Sequence, residues 1–229
     1  MKLLVVVWMV AGIAGAQVAA PKYEDARAAI QKRDFPTAIG ILRPMADQGN
    51  ARAESTLGSL YAAGFGVPQS FEEAVKWFQK AAAQGFPEAQ ANLGIAYTNG
   101  QGVSKNEATA AGLFQKAAEQ GYAPGQFLFG SVLRLGVGVP KNSADALSWF
   151  RKAADQGNAR AITALGEMYD TGDGVAKDPV EAYKWLVISA VQGDQEAKQY
   201  IASVDVRLTP KEVDEAKAAA KEWVKAHQK

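Results

Sequence analysis

Five Gln-Gly pairs stand at Gln48-Gly49, Gln84-Gly85, Gln120-Gly121, Gln156-Gly157 and Gln192-Gly193, each 36 residues after the one before. Other positions keep the same step. Leu57-Gly58 returns as Leu93-Gly94, Phe129-Gly130 and Leu165-Gly166. Gly64-x-Gly66-Val67 returns at Gly100, Gly136 and Gly172, with Val103, Val139 and Val175 completing the copies. These positions hold most of the 22 glycines, so glycine here marks backbone geometry and not low complexity. A fixed step of this size, with no insertion, restricts the chain to stacked copies of one supersecondary unit.

Each unit reads as two helices. In the first, Ala53, Leu57, Leu60 and Tyr61 recur at helical spacing, and Gly64 suits the left-handed turn at a helix end. The second helix begins after Asp34, Ser70, Asn106, Asn142 or Asp178, all side chains suited to capping a helix start. Ser70 and Glu73 have capping-box spacing. Ala74, Trp77, Phe78, Ala81 and Ala82 give that helix its apolar side, and Trp77, Trp149 and Trp185 read as core between neighbouring units. Gly58 lies mid-helix, where glycine costs about 1 kcal/mol against alanine, so close helix approach is expected there.

The run Ala53-x-x-x-Leu57-Gly58-x-x-Tyr61, then Gly64-x-Gly66-Val67, then Ala74-x-x-Trp77-Phe78-x-Lys80-Ala81-Ala82-x-Gln84-Gly85 resembles the Sel1-like repeat family, a relative of tetratricopeptide repeats. Four full copies cover about residues 50 to 193, with Phe129, Leu133, Leu113 and Gly125 as departures in the second and third. The resemblance implies an all-α, right-handed solenoid of antiparallel helix pairs. The organisation then reads as a leader over 1–16, a capping helix pair over 17–49, units over 50–85, 86–121, 122–157 and 158–193, and a half-unit with a final helix over 194–229. Within the ends, Pro44 is expected to bend its helix near Gly40, and Thr209-x-x-Glu212 to start the last helix, which reads as a cap on the array.

The first residues point to export. Lys2 precedes an apolar run from Leu3 to Gly15, and Ala14-Gly15-Ala16 offers small residues before a cut at Gln17. The run is short for a membrane anchor, which needs roughly 20 apolar residues. There is no cysteine, hence no disulfide and no lipid-anchor cysteine. The expected location is the periplasm or the medium, with no membrane insertion after the cut. Without Lys2 the chain balances 24 cationic against 24 acidic side chains, which speaks against nucleic acid as a partner.

Chemistry is sparse. The one histidine, His227, leaves no His-based triad or transition-metal set. No Ser-x-x-Lys, Gly-x-Ser-x-Gly, phosphate loop or His-Glu-x-x-His occurs. Asp170-Thr171-Gly172-Asp173-Gly174 lacks the alternate carboxylates of a calcium loop. Lys80, Lys116 and Lys152 recur with the lattice and read as a solvated outer face. No catalytic residue, cofactor or metal is therefore expected.

What remains is surface. By the geometry of related arrays, the inward positions are Arg52, Ser55, Ser59 and Ala62; Glu88, Ala91, Ile95 and Thr98; Pro124, Phe127, Ser131 and Arg134; and Arg160, Thr163, Glu167 and Asp170. They vary while the lattice does not, as a recognition groove would. The expected centre is Asn92, Ile95, Thr98, Phe127, Ser131 and Arg134, with Phe127 as anchor and Arg134 free to meet a partner's carboxylate. The resemblance implies an exported, non-enzymatic scaffold for protein or peptide partners in cell-envelope assembly or signalling. The alternative it offers is a β-lactam- or peptidoglycan-interacting protein, since some cysteine-rich relatives are so described.

Overall fold

The structure, a computed structural model, describes residues 22–227. The expected leader, with its cut before Gln17, lies outside them. Among the described residues there are twelve helices and no strand: α1 (Tyr23–Gln31), α2 (Phe35–Asp47), α3 (Ala51–Ala63), α4 (Phe71–Ala83), α5 (Pro87–Asn99), α6 (Glu107–Glu119), α7 (Ala123–Leu135), α8 (Ser143–Ala154), α9 (Ala159–Thr171), α10 (Pro179–Val191), α11 (Gln195–Asp205) and α12 (Pro210–His227). Each helix from α1 to α10 packs on its successor, so the core is a continuous stack of helix pairs. This is the all-α solenoid that the period demands.

The five capping residues all act. Asp34, Ser70, Asn106, Asn142 and Asp178 each accept a backbone N–H from the first turn of α2, α4, α6, α8 and α10. The capping box at Ser70 is only half made. Ser70 Oγ accepts from the Glu73 N–H, but the N–H of Ser70 donates to the Tyr61 carbonyl at 3.0 Å, and Glu73 turns to Lys76 at 2.6 Å. The same cross-link recurs from Asn106 to Tyr97, Asn142 to Leu133 and Asp178 to Tyr169. It pins each Gly-x-Gly loop to the helix before it and satisfies a donor that the helix cannot use. At Thr209 the box is complete, with Glu212 accepting the Thr209 N–H at 2.7 Å. Helix α2 runs on through Pro44 to Asp47, and Gly40 has open space around it.

Gly58 answers both to an aromatic ring and to the facing backbone, the Ala74 carbonyl oxygen lying 3.1 Å from a methyl placed there. A methyl there would lie 2.5 Å from the Phe78 ring, and Gly94 and Gly130 meet Phe114 and Phe150 in the same way. In these three units the ring of the second helix therefore seats on the bare backbone of the first, and in the fourth Leu186 takes that place on Gly166.

Three buried polar side chains, Glu54, Gln90 and Gln126, sit inside this stack. Each accepts a hydrogen bond from the glutamine of its own unit's Gln-Gly: Gln84 to Glu54 at 2.7 Å, Gln120 to Gln90 at 2.8 Å and Gln156 to Gln126 at 2.8 Å. The fourth unit has Ile162 in that place, buried and apolar. Burial pushes the Glu54 carboxyl up, against the pull of Lys80 and the Gln84 amide. A carboxyl raised on folding stabilises the fold less as pH rises above its ordinary range, because the folded form then holds a proton the unfolded form has released. Glu54→Gln, which copies Gln90, is expected to raise the melting temperature at pH 7 by roughly 1–3 °C. The gain should shrink as thermal melts are repeated toward pH 4.

At the far end the array departs from its own rule. Helix α12 lies chiefly against α10 instead of pairing with α11. The reason is in α10. The outer positions held by Gln79, Gln115 and Arg151, and by Lys80, Lys116 and Lys152, become Val187 and Ile188. Ile188 is fully buried, in one cluster with Ala220 of α12, and Trp223 meets Trp185 edge to face at 5.5 Å. The expected cap is thus a helix laid along the outer side of the last unit.

Candidate binding surface

Two clefts open on the face built by the first helices. One, of about 320 Å³, lies between α3 and α5; Ser59, Ala62, Asn92 and Ile95 form its walls and Phe78 its floor. The other, of about 390 Å³, lies between α7 and α9; Phe127, Ser131, Arg134, Thr163 and Glu167 wall it over Phe150. They are the same feature two units apart, since Ser131 follows Ser59, and Phe150 follows Phe78, by twice the repeat. In the step between them Ile95 stands where the clefts have serine, and Leu128 where the first cleft has Asn92. There α5 and α7 approach more closely than α3 and α5 or α7 and α9 do. The expected single groove centred on the middle units is therefore two clefts flanking a filled middle.

The six expected residues divide accordingly. Asn92 and Ile95 line the α3–α5 cleft; Phe127, Ser131 and Arg134 line the α7–α9 cleft; Thr98 lines neither. Phe127 is half-buried, its ring 5.7 Å from that of Phe150, so it is both wall and packing. Arg134 is not free. Its Nε donates to Asp173 at 2.8 Å and its Nη1 to Glu167 at 2.9 Å, which spends its charge inside the chain. Of the wider set of inward positions, Ser55, Ala91 and Asp170 are buried. Asp170 instead receives the Tyr200 hydroxyl at 2.7 Å and pairs with Arg207 at 2.6 Å, tying α9 to α11. Burial, with that hydrogen bond second, pushes the Tyr200 phenol up to about 12.

The chemistry offered to a ligand is acceptor-rich. Ser59, Thr98 and Ser131 each donate their hydroxyl proton to the carbonyl one turn back, at 3.2, 3.0 and 2.8 Å. Their oxygens keep lone pairs for an incoming N–H. Asp194, at the end of the α7–α9 cleft, is missed by helical spacing because it caps α11. It accepts from Thr163 at 2.7 Å and from the Ala197 N–H at 3.1 Å, and these bonds hold its carboxyl below the usual range. Among the described residues no group of three His, Cys, Asp or Glu side chains is placed to hold a metal, and no helix is long and apolar enough to cross a membrane.

The profile of the Sel1 repeat matches four times in succession, over residues 51–86, 87–122, 123–158 and 159–194. The chain belongs to the Sel1 repeat family. Solved Sel1 structures agree. A Sel1 repeat protein from Oxalobacter formigenes is 35% identical, superposes with a TM-score of 0.73, and the match covers 91% of this chain and 86% of that one. A protective antigen present in uropathogenic Escherichia coli strains, which displays the same repeat fold, is 30% identical with a TM-score of 0.72; the match covers 88% of this chain and 49% of that one. A Klebsiella pneumoniae protein at 22% identity and a TM-score of 0.55 shares the fold. No curated protein matches the chain significantly. The Sel1 match ends at residue 194, so α11, α12 and the Arg207 that pairs back to Asp170 of the fourth repeat lie beyond it.

Proposed function

We propose that this Sel1 repeat protein is an exported, non-catalytic scaffold of the cell envelope, whose first-helix face holds an extended segment of a partner protein. The observation that carries the reading is the pair of clefts in one register, each with a phenylalanine floor and a serine wall. The clefts lie two repeats apart on one face, so an extended segment laid across the first helices meets both. Two apolar side chains of such a segment fill the clefts, and its N–H groups meet the hydroxyl oxygens between them. Export rests on the leader-like start, and the antigen among the relatives supports a location open to the outside.

The test blocks both clefts at once. Ser59→Arg/Ser131→Arg places a long side chain over each floor. The wild-type protein, immobilised and exposed to envelope extract, is expected to retain a defined partner by mass spectrometry, and the double variant to lose at least about 90% of it, a tenfold weakening. Equal recovery by both, at matched melting temperatures, sinks the cleft assignment. A chain recovered only from cytosol with its first 16 residues intact sinks the export assignment.

A further inference from the structure

The outer face of α10 has more apolar surface than α12 covers. Three lattice positions change there together. Val187 replaces Gln79, Gln115 and Arg151; Ile188 replaces Lys80, Lys116 and Lys152; Val191 replaces Ala83, Glu119 and Asp155. Helix α12 accounts for Ile188, but Val191 stays 67% exposed and Val187 half-buried. A slot of about 260 Å³ is left between the helices, walled by Val187, Val191 and Val224. A second cleft shares Val191 and Val224 with it and runs on to Trp223 and His227. The rim is basic. Lys217, Lys221 and Lys225 follow at one-turn spacing along α12, and the first two edge the slot. Neither Lys217 nor Lys221 pairs with a carboxylate among the described residues; Glu215 is taken by Lys211, and Asp214 lies one turn ahead.

We propose that this α10–α12 slot is a second docking surface, which takes a partner segment carrying aliphatic side chains with Asp or Glu beside them. It lies on second helices, away from the clefts of the first-helix face, and stands or falls independently of them. Charge and shape choose the occupant. A row of unpaired lysines beside valines matches an acidic, aliphatic helix. A second copy meeting the slot symmetrically would set lysine row against lysine row. A recessed slot suits inserted side chains better than a flat bilayer.

The probe is a fluorescent amphipathic helix of leucine and glutamate, measured by anisotropy on the full chain. Its counterpart with lysine for glutamate, and vesicles of phosphatidylcholine with about one-third phosphatidylglycerol, serve as the other arms. The glutamate peptide is expected to bind at least about tenfold more tightly than the lysine peptide, and more weakly as salt rises. Val191→Asp and Lys217→Glu/Lys221→Glu should each weaken it by about tenfold or more, while Ser59→Arg/Ser131→Arg leaves it unchanged. Both sites are exposed, so these variants should melt as the wild type does; if either melts early, Lys217→Gln/Lys221→Gln decides in its place. Equal binding of the two peptides overturns the proposal, as does indifference to the slot variants. So do vesicle binding that Val191→Asp abolishes, and a dimer in sedimentation that Val191→Asp splits.

Discussion

Gly138→Ala is expected to destabilise the protein by about 3 kcal/mol or more, well beyond the usual cost of a surface substitution. Two terms act together. At φ +70° the backbone is left-handed, which costs a residue with a Cβ roughly 1–2 kcal/mol. The new methyl would also lie 2.1 Å from the carbonyl oxygen of Glu107, a backbone atom that cannot rotate aside, and such crowding adds about 1–3 kcal/mol. Glu107 opens α6, the second helix of the unit before. The same glycine in the other copies meets Phe35, Phe71 and Ser143, each the residue that follows a helix cap. The second glycine of Gly-x-Gly is thus where one unit's loop seats on its predecessor, and the alanine pushes two units apart. Two controls isolate that term in urea melts. Gly136→Ala, at φ +72° with its nearest neighbour the Lys141 side chain at 3.2 Å, should cost roughly 1–2 kcal/mol. Gly157→Ala, left-handed with nothing within 4 Å, should cost about 1 kcal/mol. If all three melt alike, the seating of loop on helix contributes nothing.

Period, helix order and capping residues were legible because each is a local demand repeated at a fixed step. What the sequence hid is pairing across steps. Gln84 reads as the end of a helix, and nothing local shows that its amide is spent on Glu54, thirty positions earlier. Arg134 reads as an exposed cation, because the two carboxylates that hold it arrive from the next unit, at Glu167 and in its loop at Asp173. The docking of α12 did carry a signal: Ile188 breaks the column of Lys80, Lys116 and Lys152. A lattice residue that changes character in one copy only marks a contact that the other copies lack. The clefts are harder to read, since they arise where Ser59 and Ser131 are smaller than Ile95, a matter of volume between helices and not of pattern along one.

Phe150→Ala is expected to cost about 3–5 kcal/mol, the loss of a fully buried aromatic with the cavity it leaves. Only 1% of Phe150 is exposed, its ring rests on Gly130, and it forms the floor of the α7–α9 cleft. Trp149, which sequence alone marks as core, is half-buried; it meets Phe129 edge to face at 5.5 Å, and the Lys152 ammonium covers it at 4.0 Å. Trp77 and Trp185, at the same place in their units, are buried, so of the three tryptophans Trp149 alone lies at the margin of the core. Trp149→Ala should therefore cost about 1–2 kcal/mol, the loss of partial burial and of one cation–π contact. Phe127→Ala separates the two roles of the cleft wall. Its stability cost should be about 1 kcal/mol, that of one aromatic pair at the margin of the core. Its cost in partner binding should be about 1–3 kcal/mol, because an apolar anchor at an interface carries a large share of the energy. Circular-dichroism melts and titration of the same preparations give both numbers. Should Phe127→Ala melt as early as Phe150→Ala, the ring belongs to the core, and the cleft keeps a floor but no anchor.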